Sequence, residues 1–431
     1  MSTVVVVGGG FGGLAAAARL AKLGHEVTIV ERTGTLGGAL SGVSEDGFTW
    51  DAGPSYTLLP AVVRDLFRKS GRPLERELDL VPLDVVREHR FEDGTSVRVP
   101  VGRSAQIAAF DELGTGLGQR WVDHVASYAD DWEVLRRGYL ENPWRPDALP
   151  PELAARLDSR EVLHKRLKKT FKDERLRMVA GHPFVAEGHD LRNVPAWLGV
   201  MAYVEQRFGA WTVEGGMSRL GTALADRMAT RGVNVLTDTA VIDLVVRSGR
   251  VAAVETTAGR LEADVVVCAI DPRGLPALAS YVERTMPAIP PVVVHVGLSG
   301  DAPDLPHELV LHGDPMLVVR RQGNALTVHG RGKLSEDILR ALARHKIDVR
   351  AQVAARVDSS PRAQVEHWGS SPMGVLWQGR GTVRQRLGPR TPVEGVYAAG
   401  AHATPGSGLP FVGLSAALAA AEIGPAGEVR P

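Results

Sequence analysis

The sequence predicts an α/β protein with one discontinuous domain and a second domain formed by two insertions. A valine-rich strand, a glycine-rich turn and an alanine-rich helix open the chain at residues 3–24. The same succession returns near the end, at residues 396–423. Between them, an α/β pattern at residues 211–290 separates two stretches of mixed strands and helices. This alternation predicts that separate parts of the chain build one α/β domain.

The opening stretch has the pattern of a dinucleotide-binding turn. Four consecutive valines, residues 4–7, are typical of a strand buried in a parallel sheet. The glycines that follow fit the G-x-G-x-x-G spacing: Gly8, Gly10 and Gly13. A helix predicted over residues 11–23 would offer free N–H groups to phosphates. The next strand, residues 26–30, leads to Glu31, at the separation typical of an acidic side chain that binds a ribose.

From residue 32 to residue 210 the pattern passes from loops to strands and then to helices. A glycine-rich loop and a turn at Asp46-Gly47 precede a helix expected over residues 61–70. Strand-like runs flank Asp93-Gly94, which predicts a hairpin there. The helices expected beyond this hairpin cover residues 117–140, 150–158 and 161–181.

The α/β pattern returns after residue 211 with a glycine turn and a helix. The strands expected next cover residues 233–236, 241–246, 251–256 and 264–270. Further strands are expected between residues 291 and 331, and a helix over residues 335–345. A last strand at residues 396–399 leads through a glycine-rich loop into an alanine-rich helix, so a second set of backbone N–H donors is predicted there.

The composition sets limits on function. The chain has 431 residues, 44% of them hydrophobic, which suffices for two or three domains with substantial cores. Fifty basic residues balance fifty acidic ones, so the charge does not indicate nucleic-acid binding. The sequence lacks an apolar run of about 18 residues, as a membrane span requires, and a basic leader of the export type. We therefore expect a cytoplasmic protein.

The sequence gives little indication of metal or thiol chemistry. The single cysteine, Cys268, excludes an intramolecular disulfide framework and is expected to be a small buried hydrophobe. Several histidines lie apart, without metal-ligand spacing: His182, His189, His307, His312 and His367. We therefore predict no metal site.

Four blocks follow one another along nearly the whole chain. They are the opening turn with Glu31, LGGALSG with DGFTWDAGPSYTLLP, WTVEGGMSRLGTALA, and VYAAGAHATPGSGLPFVGLSAA. Together they resemble the FAD-dependent amine oxidase and phytoene desaturase-like oxidoreductases, the phytoene desaturase branch in particular. The resemblance implies FAD and a Rossmann-like FAD-binding domain made of residues 1–80, 211–290 and 390–431. A mixed sheet-plus-helix substrate domain would then comprise residues 81–210 and 291–389.

The resemblance also implies which residues surround the cofactor. The residues implied at the pyrophosphate and the adenosine are Gly8, Gly10, Phe11, Gly12, Gly13, Glu31, Arg32, Gly37, Gly38, Ala39 and, through its backbone, Val241. Those implied beside the ribityl chain and the flavin are Asp51, Gly53, Pro54, Gly400, Ala401, Gly408, Leu409, Pro410 and Val412. The catalytic side chains are not identified by the sequence.

Two features depart from the family pattern. Ala403-Thr404-Pro405-Gly406 stands where the family commonly has T-H-P-G, so Thr404 occupies the usual histidine position and His402 lies two residues earlier. The chain is also short for a carotenoid desaturase. Both departures count against a long polyene substrate. They leave the implied binding of FAD intact.

The activity implied by the resemblance is that of an FAD-dependent dehydrogenase or desaturase. It would transfer hydride from an apolar small molecule, isoprenoid or otherwise lipid-like, to flavin N5. Two alternatives remain open on the same scaffold. One is an amine or tailoring oxidase of secondary metabolism, and the other is a flavin-dependent isomerase without net redox change.

Two further stretches have two interpretations each. The basic helix at residues 163–172 is interpreted as an ordinary solvated helix, with peripheral contact to an anionic membrane as the alternative. An aromatic-rich stretch is expected to form either interdomain core or a wall of the substrate pocket. Its members are Trp197, Met201, Tyr203, Phe208 and Trp211.

Overall fold

The computed structural model describes residues 2–143 and 145–427. The strands, in chain order, are β1 (Thr3–Val7), β2 (Glu26–Val30), β3 (Gly42–Glu45), β4 (Phe48–Asp51), β5 (Leu80–Pro82), β6 (Val85–Arg90), β7 (Ser96–Pro100), β8 (Trp211–Val213), β9 (Asn234–Leu236), β10 (Val241–Arg247), β11 (Arg250–Thr256), β12 (Gly259–Glu262), β13 (Val265–Cys268), β14 (Val292–Leu298), β15 (Glu308–Leu311), β16 (Met316–Gln322), β17 (Ala325–Arg331), β18 (Val353–Ser359) and β19 (Val396–Ala398).

The α-helices of the described residues lie between or after these strands. In chain order they are α1 (Phe11–Lys22), α2 (Pro60–Ser70), α3 (Arg103–Asp111), α4 (Leu117–Ala126), α5 (Ala129–Leu135), α6 (Pro151–Leu157), α7 (Leu163–Thr170), α8 (Glu174–Ala186), α9 (Val200–Phe208), α10 (Ser218–Thr230), α11 (Pro276–Ala279), α12 (Ile338–Arg344), α13 (Pro361–Trp368), α14 (Thr382–Gln385) and α15 (Leu409–Ile423). Those from α3 to α9 follow one another between β7 and β8.

A five-stranded sheet contains the strands that the valine-rich pattern predicted. Its order is β19-β13-β1-β2-β9, and all four pairings are parallel. The inner strand β1 is apolar because both faces of a parallel sheet are covered. The strands come from the beginning, the middle and the end of the chain, which confirms the predicted α/β class with a discontinuous, Rossmann-like sheet.

A seven-stranded sheet gathers strands from the two predicted insertions. Its order is β18-β14-β17-β16-β15-β6-β7. The pairings are antiparallel except that of β15 with β6, which is parallel and joins the two insertions. The sheet therefore depends on contacts between residues far apart in sequence. The domain boundaries predicted above remain a prediction.

Glycines allow α1 to lie close to its neighbours. A Cβ at Gly13 would lie 1.9 Å from Gly8 O, and a Cβ at Gly12 would lie 2.8 Å from Gly400 Cα. The turn after β1, the start of α1 and the loop after β19 thus approach one another through backbone atoms. This close approach brings the first and the last glycine loops of the chain together.

Two predicted helical stretches are divided in the structure. Residues 117–140 form α4, α5 and a π-helical turn at Arg136–Leu140. Between α4 and α5 the buried Tyr128 packs at Gly199, where a Cβ would lie 2.0 Å from its hydroxyl oxygen. Residues 161–181 are divided because Asp173 caps a new helix, accepting a hydrogen bond from Arg175 N at 2.8 Å.

The apolar residues of the basic helix lie in the core. Leu163, Leu167 and Phe171 are at most 1% exposed, so the surface of α7 presents mainly its charged side chains. This burial agrees with an ordinary solvated helix. Among the described helices, none combines the length and the apolar character needed to span a bilayer.

Candidate functional site

One large cavity lies between the two sheets. Its volume is ≈ 490 Å³. Gly8, Ile270 and Gly400, which follow the carboxyl ends of β1, β13 and β19, line one side of it. Residues of α5, α8, α9 and the seven-stranded sheet line the other side. Ligands of open parallel sheets bind at this edge, so the cavity is the candidate site.

Most of the predicted cofactor residues meet in this cavity. Those that line it are Gly8, Gly10, Phe11, Gly12, Glu31, Gly38, Ala39, Gly53, Pro54, Gly400, Ala401, Gly408, Leu409, Pro410 and Val412. In the described structure, the N-termini of α1 and α15 have no side-chain cap. Two sets of helix N–H groups therefore begin at one wall and are open to an anion.

Glu31 stands at the edge of the first glycine turn. Its Oε2 accepts a hydrogen bond from Gly9 N at 2.7 Å, and its Oε1 accepts one from Thr33 N at 2.8 Å. Oε2 therefore points towards the glycine turn, and Oε1 points towards the loop that follows β2. The backbone fixes the carboxylate beside the cavity.

The other predicted cofactor residues lie outside the cavity wall. Gly13 supports the packing of α1 on the glycine turn described above. Gly37 donates its N–H to Gly9 O at 2.9 Å, and Val241 begins β10 in a separate three-stranded sheet. These positions contribute to the framework around the site.

Two further predicted residues act on neighbouring elements. The Asp51 carboxylate accepts hydrogen bonds from Met217 N (2.9 Å) and Ser218 N (2.8 Å), and so caps α10. Arg32 donates through Nη2 to His367 O at 2.5 Å, which ties the end of β2 to α13. Both side chains hold segments of chain that border the cavity.

The departures in the terminal block have a structural consequence. His402 lines the cavity and donates through Nε2 to Ser371 O at 3.0 Å. Thr404 instead turns away, donating through Oγ1 to Gly388 O at 2.8 Å. Within the terminal block, the histidine that lines the cavity is therefore the one two residues before the usual family position.

The far side of the cavity is rich in aromatic side chains. The rings on its wall include Trp121, Trp132, Tyr139, Trp197, Trp377 and Phe411. The aromatic-rich stretch splits here, because Trp197 and Met201 line the cavity whereas Phe208 is 37% exposed. Such a wall favours an apolar ligand.

A network of four charged side chains lies in the same wall. Arg87 donates to Glu205 Oε2 (2.6 Å) and to Glu308 Oε1 (3.1 Å), while Arg320 donates to Glu308 Oε2 (2.9 Å). Arg87 also donates to the hydroxyl oxygen of Tyr56 at 2.7 Å. Two positive and two negative charges thus compensate each other.

Burial and mutual attraction act in opposite directions in this network. Burial alone would raise the pKa of Glu308, but Arg320, His182 and Arg87 hold that pKa well below its ordinary value. Burial alone would lower the pKa of Arg87, but the carboxylates of Glu205 and Glu308 outweigh it. Arg87 and Glu308 therefore stay charged at neutral pH.

His182 lies on the cavity wall beside this network. Its Nε2 is 3.9 Å from Glu308 Oε1, and its Nδ1 is buried without a hydrogen-bond partner in the described structure. Burial lowers its pKa, and Glu308 offsets only part of that shift. The ring is therefore neutral at pH 7 and able to accept a proton.

The charged residues of this wall were not predicted from the sequence. Arg87 and Glu205 are 118 positions apart, and Arg87 and Glu308 are 221 apart. Charged residues inside the strand-like runs VVREHR and MLVVRRQ were the available signal. Polar residues at strand positions that become buried indicate an internal network, but not its partners.

The comparisons with known proteins agree with this arrangement. The family model for flavin containing amine oxidoreductases matches residues 11–424. The 4,4'-diapolycopene oxygenase of Methylomonas sp is 26% identical over 333 residues, which cover 72% of this chain and 66% of that protein. The 4,4'-diapophytoene desaturase of Staphylococcus aureus strain COL is 25% identical over 296 residues, which cover 67% of this chain.

The similarity to solved structures extends over the whole fold. A putrescine oxidase bound to putrescine superimposes with a TM-score of 0.69 at 18% identity, covering 98% of both chains. By contrast, the chain spans only 66% and 58% of the length of the two relatives compared by sequence. With the family model spanning nearly the whole sequence, this chain belongs to the flavin containing amine oxidoreductase family, and its cofactor is FAD.

Proposed function

We propose that the protein is an FAD-dependent dehydrogenase or desaturase that removes hydride from an apolar, isoprenoid or lipid-like substrate. One observation carries the proposal: a single cavity joins the starts of two glycine-led helices to an aromatic wall. The first part suits a dinucleotide, and the second suits a hydrocarbon.

The residues on the sheet side fit FAD. A Cβ at Gly10 would meet only Gly38 Cα, at 3.9 Å, so the backbone there borders open space of the kind a pyrophosphate fills. Gly408 has a positive φ of 95°, which turns the chain into α15 with its N–H groups towards the same space. The donor set is made of backbone N–H groups, which suits an anion.

We assign the cofactor contacts accordingly. Gly8, Gly10, Phe11 and Gly12 would hold the pyrophosphate, Glu31 the adenosine ribose, and Gly38 and Ala39 the adjoining part of FAD. Gly53, Pro54, Gly400, Ala401, Gly408, Leu409, Pro410 and Val412 would surround the ribityl chain and the flavin. Gly13, Arg32, Gly37, Asp51 and Val241 would support these contacts from the framework, Val241 through its backbone.

The chemistry divides between the cofactor and the chain. Bound FAD supplies a hydride acceptor at N5. The aromatic wall orients the substrate and excludes water from it. A desaturation also releases a proton from the neighbouring carbon. We propose that His182, a histidine of the wall whose buried Nδ1 has no hydrogen-bond partner in the described structure, accepts it. Glu308, 3.9 Å from Nε2, would stabilise the resulting imidazolium.

The names of the relatives support an apolar substrate. One is described as a diapolycopene oxygenase and another as a diapophytoene desaturase, and both names refer to isoprenoid hydrocarbons. Because the chain spans only part of those proteins, we use them for the substrate class and not for a particular molecule.

The proposal is tested by anaerobic mixing of the FAD-loaded protein with isoprenoid polyenes and, separately, with aliphatic amines. We expect the absorbance of oxidised flavin to be lost with a polyene and retained with amines. Reduction by amines alone would support an amine oxidase instead. A product formed without net reduction of flavin would point to an isomerase.

A further inference from the structure

The charges on the cavity wall do not all compensate each other. Arg87 and Arg320 are paired with Glu205 and Glu308, as described above. Among the described residues, the two other arginines of the wall, Arg331 and Arg386, form no ion pair with a carboxylate. Arg331 and Arg386 therefore have no ion pair within the described structure, although the carboxylates of Glu31 and Glu187 also line the cavity.

Arg331 is at the end of β17 and is held against α8. Its Nε donates to Ala186 O at 2.6 Å. Gly188 leaves room for its guanidinium, because a Cβ there would lie 2.7 Å from Nη1. Its Nη2 is buried and has no hydrogen-bond partner in the described structure. The backbone thus holds the guanidinium in place while some of its N–H donors have no hydrogen-bond partner in the described structure.

The nearest candidate partner is occupied elsewhere. Glu187 follows α8, also lines the cavity and is 38% exposed. Its Oε2 accepts a hydrogen bond from Ser407 Oγ at 3.5 Å and lies 3.5 Å from His189 Nε2. Glu187 therefore attracts Arg331 through space without forming an ion pair with it. Burial lowers the pKa of Arg331 to about 10, so the side chain is still cationic at neutral pH.

Arg386 is a second cation on the cavity wall. It is 6% exposed and donates to Pro405 O (3.1 Å) and Val375 O (2.9 Å), with its guanidinium over the Trp377 ring. Its two Nη groups are thus used by backbone oxygens, and its buried Nε has no hydrogen-bond partner in the described structure. Arg331, with one hydrogen bond to a backbone oxygen, keeps more donor groups for a ligand.

A half-buried cation without an ion pair favours a ligand that supplies the anion. We propose that Arg331 binds the carboxylate of an amphipathic substrate whose hydrocarbon chain lies along the aromatic wall. The substrate is then a long-chain or isoprenoid carboxylic acid and not a plain hydrocarbon. This inference rests on the proposed function, because it places the same apolar substrate in the same cavity.

The test compares the binding of parinaric acid, a fluorescent polyene fatty acid, with that of its methyl ester to the FAD-loaded protein. Wild type is expected to bind the acid about tenfold tighter than the ester or more, since a hydrogen bond to a charged group contributes that much. Arg331→Met should remove this preference and leave ester binding unchanged. Arg331→Lys should keep most of it.

The matched control is Arg340→Met, which removes an exposed arginine from α12 and should retain the wild-type preference. Equal binding of acid and ester by wild type would overturn the inference, whether or not Arg331→Met folds. A preference retained in folded Arg331→Met would overturn it as well. Failure of both ligands to bind would contradict the apolar substrate of the proposed function, and this inference with it.

Discussion

The two sheets that border the cavity are built from different kinds of residue. The strands of the five-stranded sheet contain no histidine or arginine, and β1 and β13 are almost wholly apolar. The seven-stranded sheet holds Arg87, His89, His295 and Glu308, each less than 5% exposed. The first sheet presents backbone donors from glycine turns, whereas the second presents side chains.

This difference explains how each half of the site recognises its ligand. Backbone N–H groups at helix starts suit a phosphate whatever the neighbouring side chains are, provided that glycines permit close approach. Side chains on a sheet adapt to a substrate, but their charges must be compensated once they are buried. The buried Arg87 and Glu308 of the seven-stranded sheet therefore depend on the ion pairs described above.

The largest effect is expected from valine substitutions at two glycines of the opening turn. In Gly10→Val the new side chain would enter the space assigned to the pyrophosphate, so FAD loading should be lost while the apoprotein stays folded. In Gly13→Val the side chain would collide with Gly8 O, so the apoprotein itself should lose about 3 kcal/mol or more of unfolding free energy.

The ratio of flavin to protein absorbance and the denaturant midpoint of the apoprotein separate these outcomes. A Gly10→Val protein with a full complement of FAD would contradict the placement of the pyrophosphate. A stable Gly13→Val protein would contradict the close packing of α1 on the turn.

Acid should destabilise the half of the molecule that contains the seven-stranded sheet. Burial lowers the pKa of His124, His295 and His312 from 6.5 to about 4. Between these values the unfolded chain binds more protons than the folded one, so stability falls as the pH falls. Each histidine lowers the free energy of unfolding by up to about 3 kcal/mol at pH 4, and this loss vanishes above about pH 6.5.

Denaturant midpoints measured from about pH 7 down to pH 4.5 check this expectation, with hydrogen exchange to locate the loss of protection. The amides of the seven-stranded sheet should lose protection before those of the five-stranded sheet. His295→Gln should reduce the pH slope by about 1.4 kcal/mol per pH unit, the contribution of one proton. Denaturant midpoints that do not change with pH would show that folding does not lower the pKa values of these histidines.

A smaller loss is expected from removal of one charge in the buried network. Arg87→Met leaves Glu205 buried without its ion pair and Glu308 with Arg320 alone. We expect a loss of about 3 kcal/mol of unfolding free energy, at the low end for breaking a buried pair. The control is Arg98→Met on β7, where the arginine is 64% exposed and its ion pair contributes about 1 kcal/mol at most. Equal losses in the two variants would contradict the burial of the network.

The sequence predicted the half of the site made from backbone much better than the half made from side chains. The glycine spacings and apolar strands are local, so β1, α1, β13 and α15 follow directly from pattern. The Arg87 network could not be predicted, because Arg87 is more than 100 positions from both Glu205 and Glu308 and meets Glu308 through the β15–β6 pairing. The helix α13, which covers the cofactor side, lacked a strong apolar period and was not predicted.

The break between α4 and α5 is a different kind of failure. Helical spacing continues through residues 127–128, but the packing of Tyr128 at Gly199 decides the geometry there. Asp173, in contrast, is a recognisable N-cap, so the division between α7 and α8 was available from the sequence. In the helical insertion, capping residues therefore predict the helix boundaries better than hydrophobic periodicity alone.

The smallest effect is expected on the surface of α7. Lys168→Gln with Lys169→Gln changes only exposed side chains, and should alter the unfolding free energy by less than about 0.5 kcal/mol. Leu167→Ala on the same helix should lower the free energy of unfolding by about 2–5 kcal/mol, because that side chain is 1% exposed.

Sedimentation with anionic vesicles distinguishes the two interpretations of this helix. Since its leucines are already in the core, we expect no apolar insertion and no sedimentation. Sedimentation that is lost both at high salt and in the lysine double variant would show that α7 does contact the membrane.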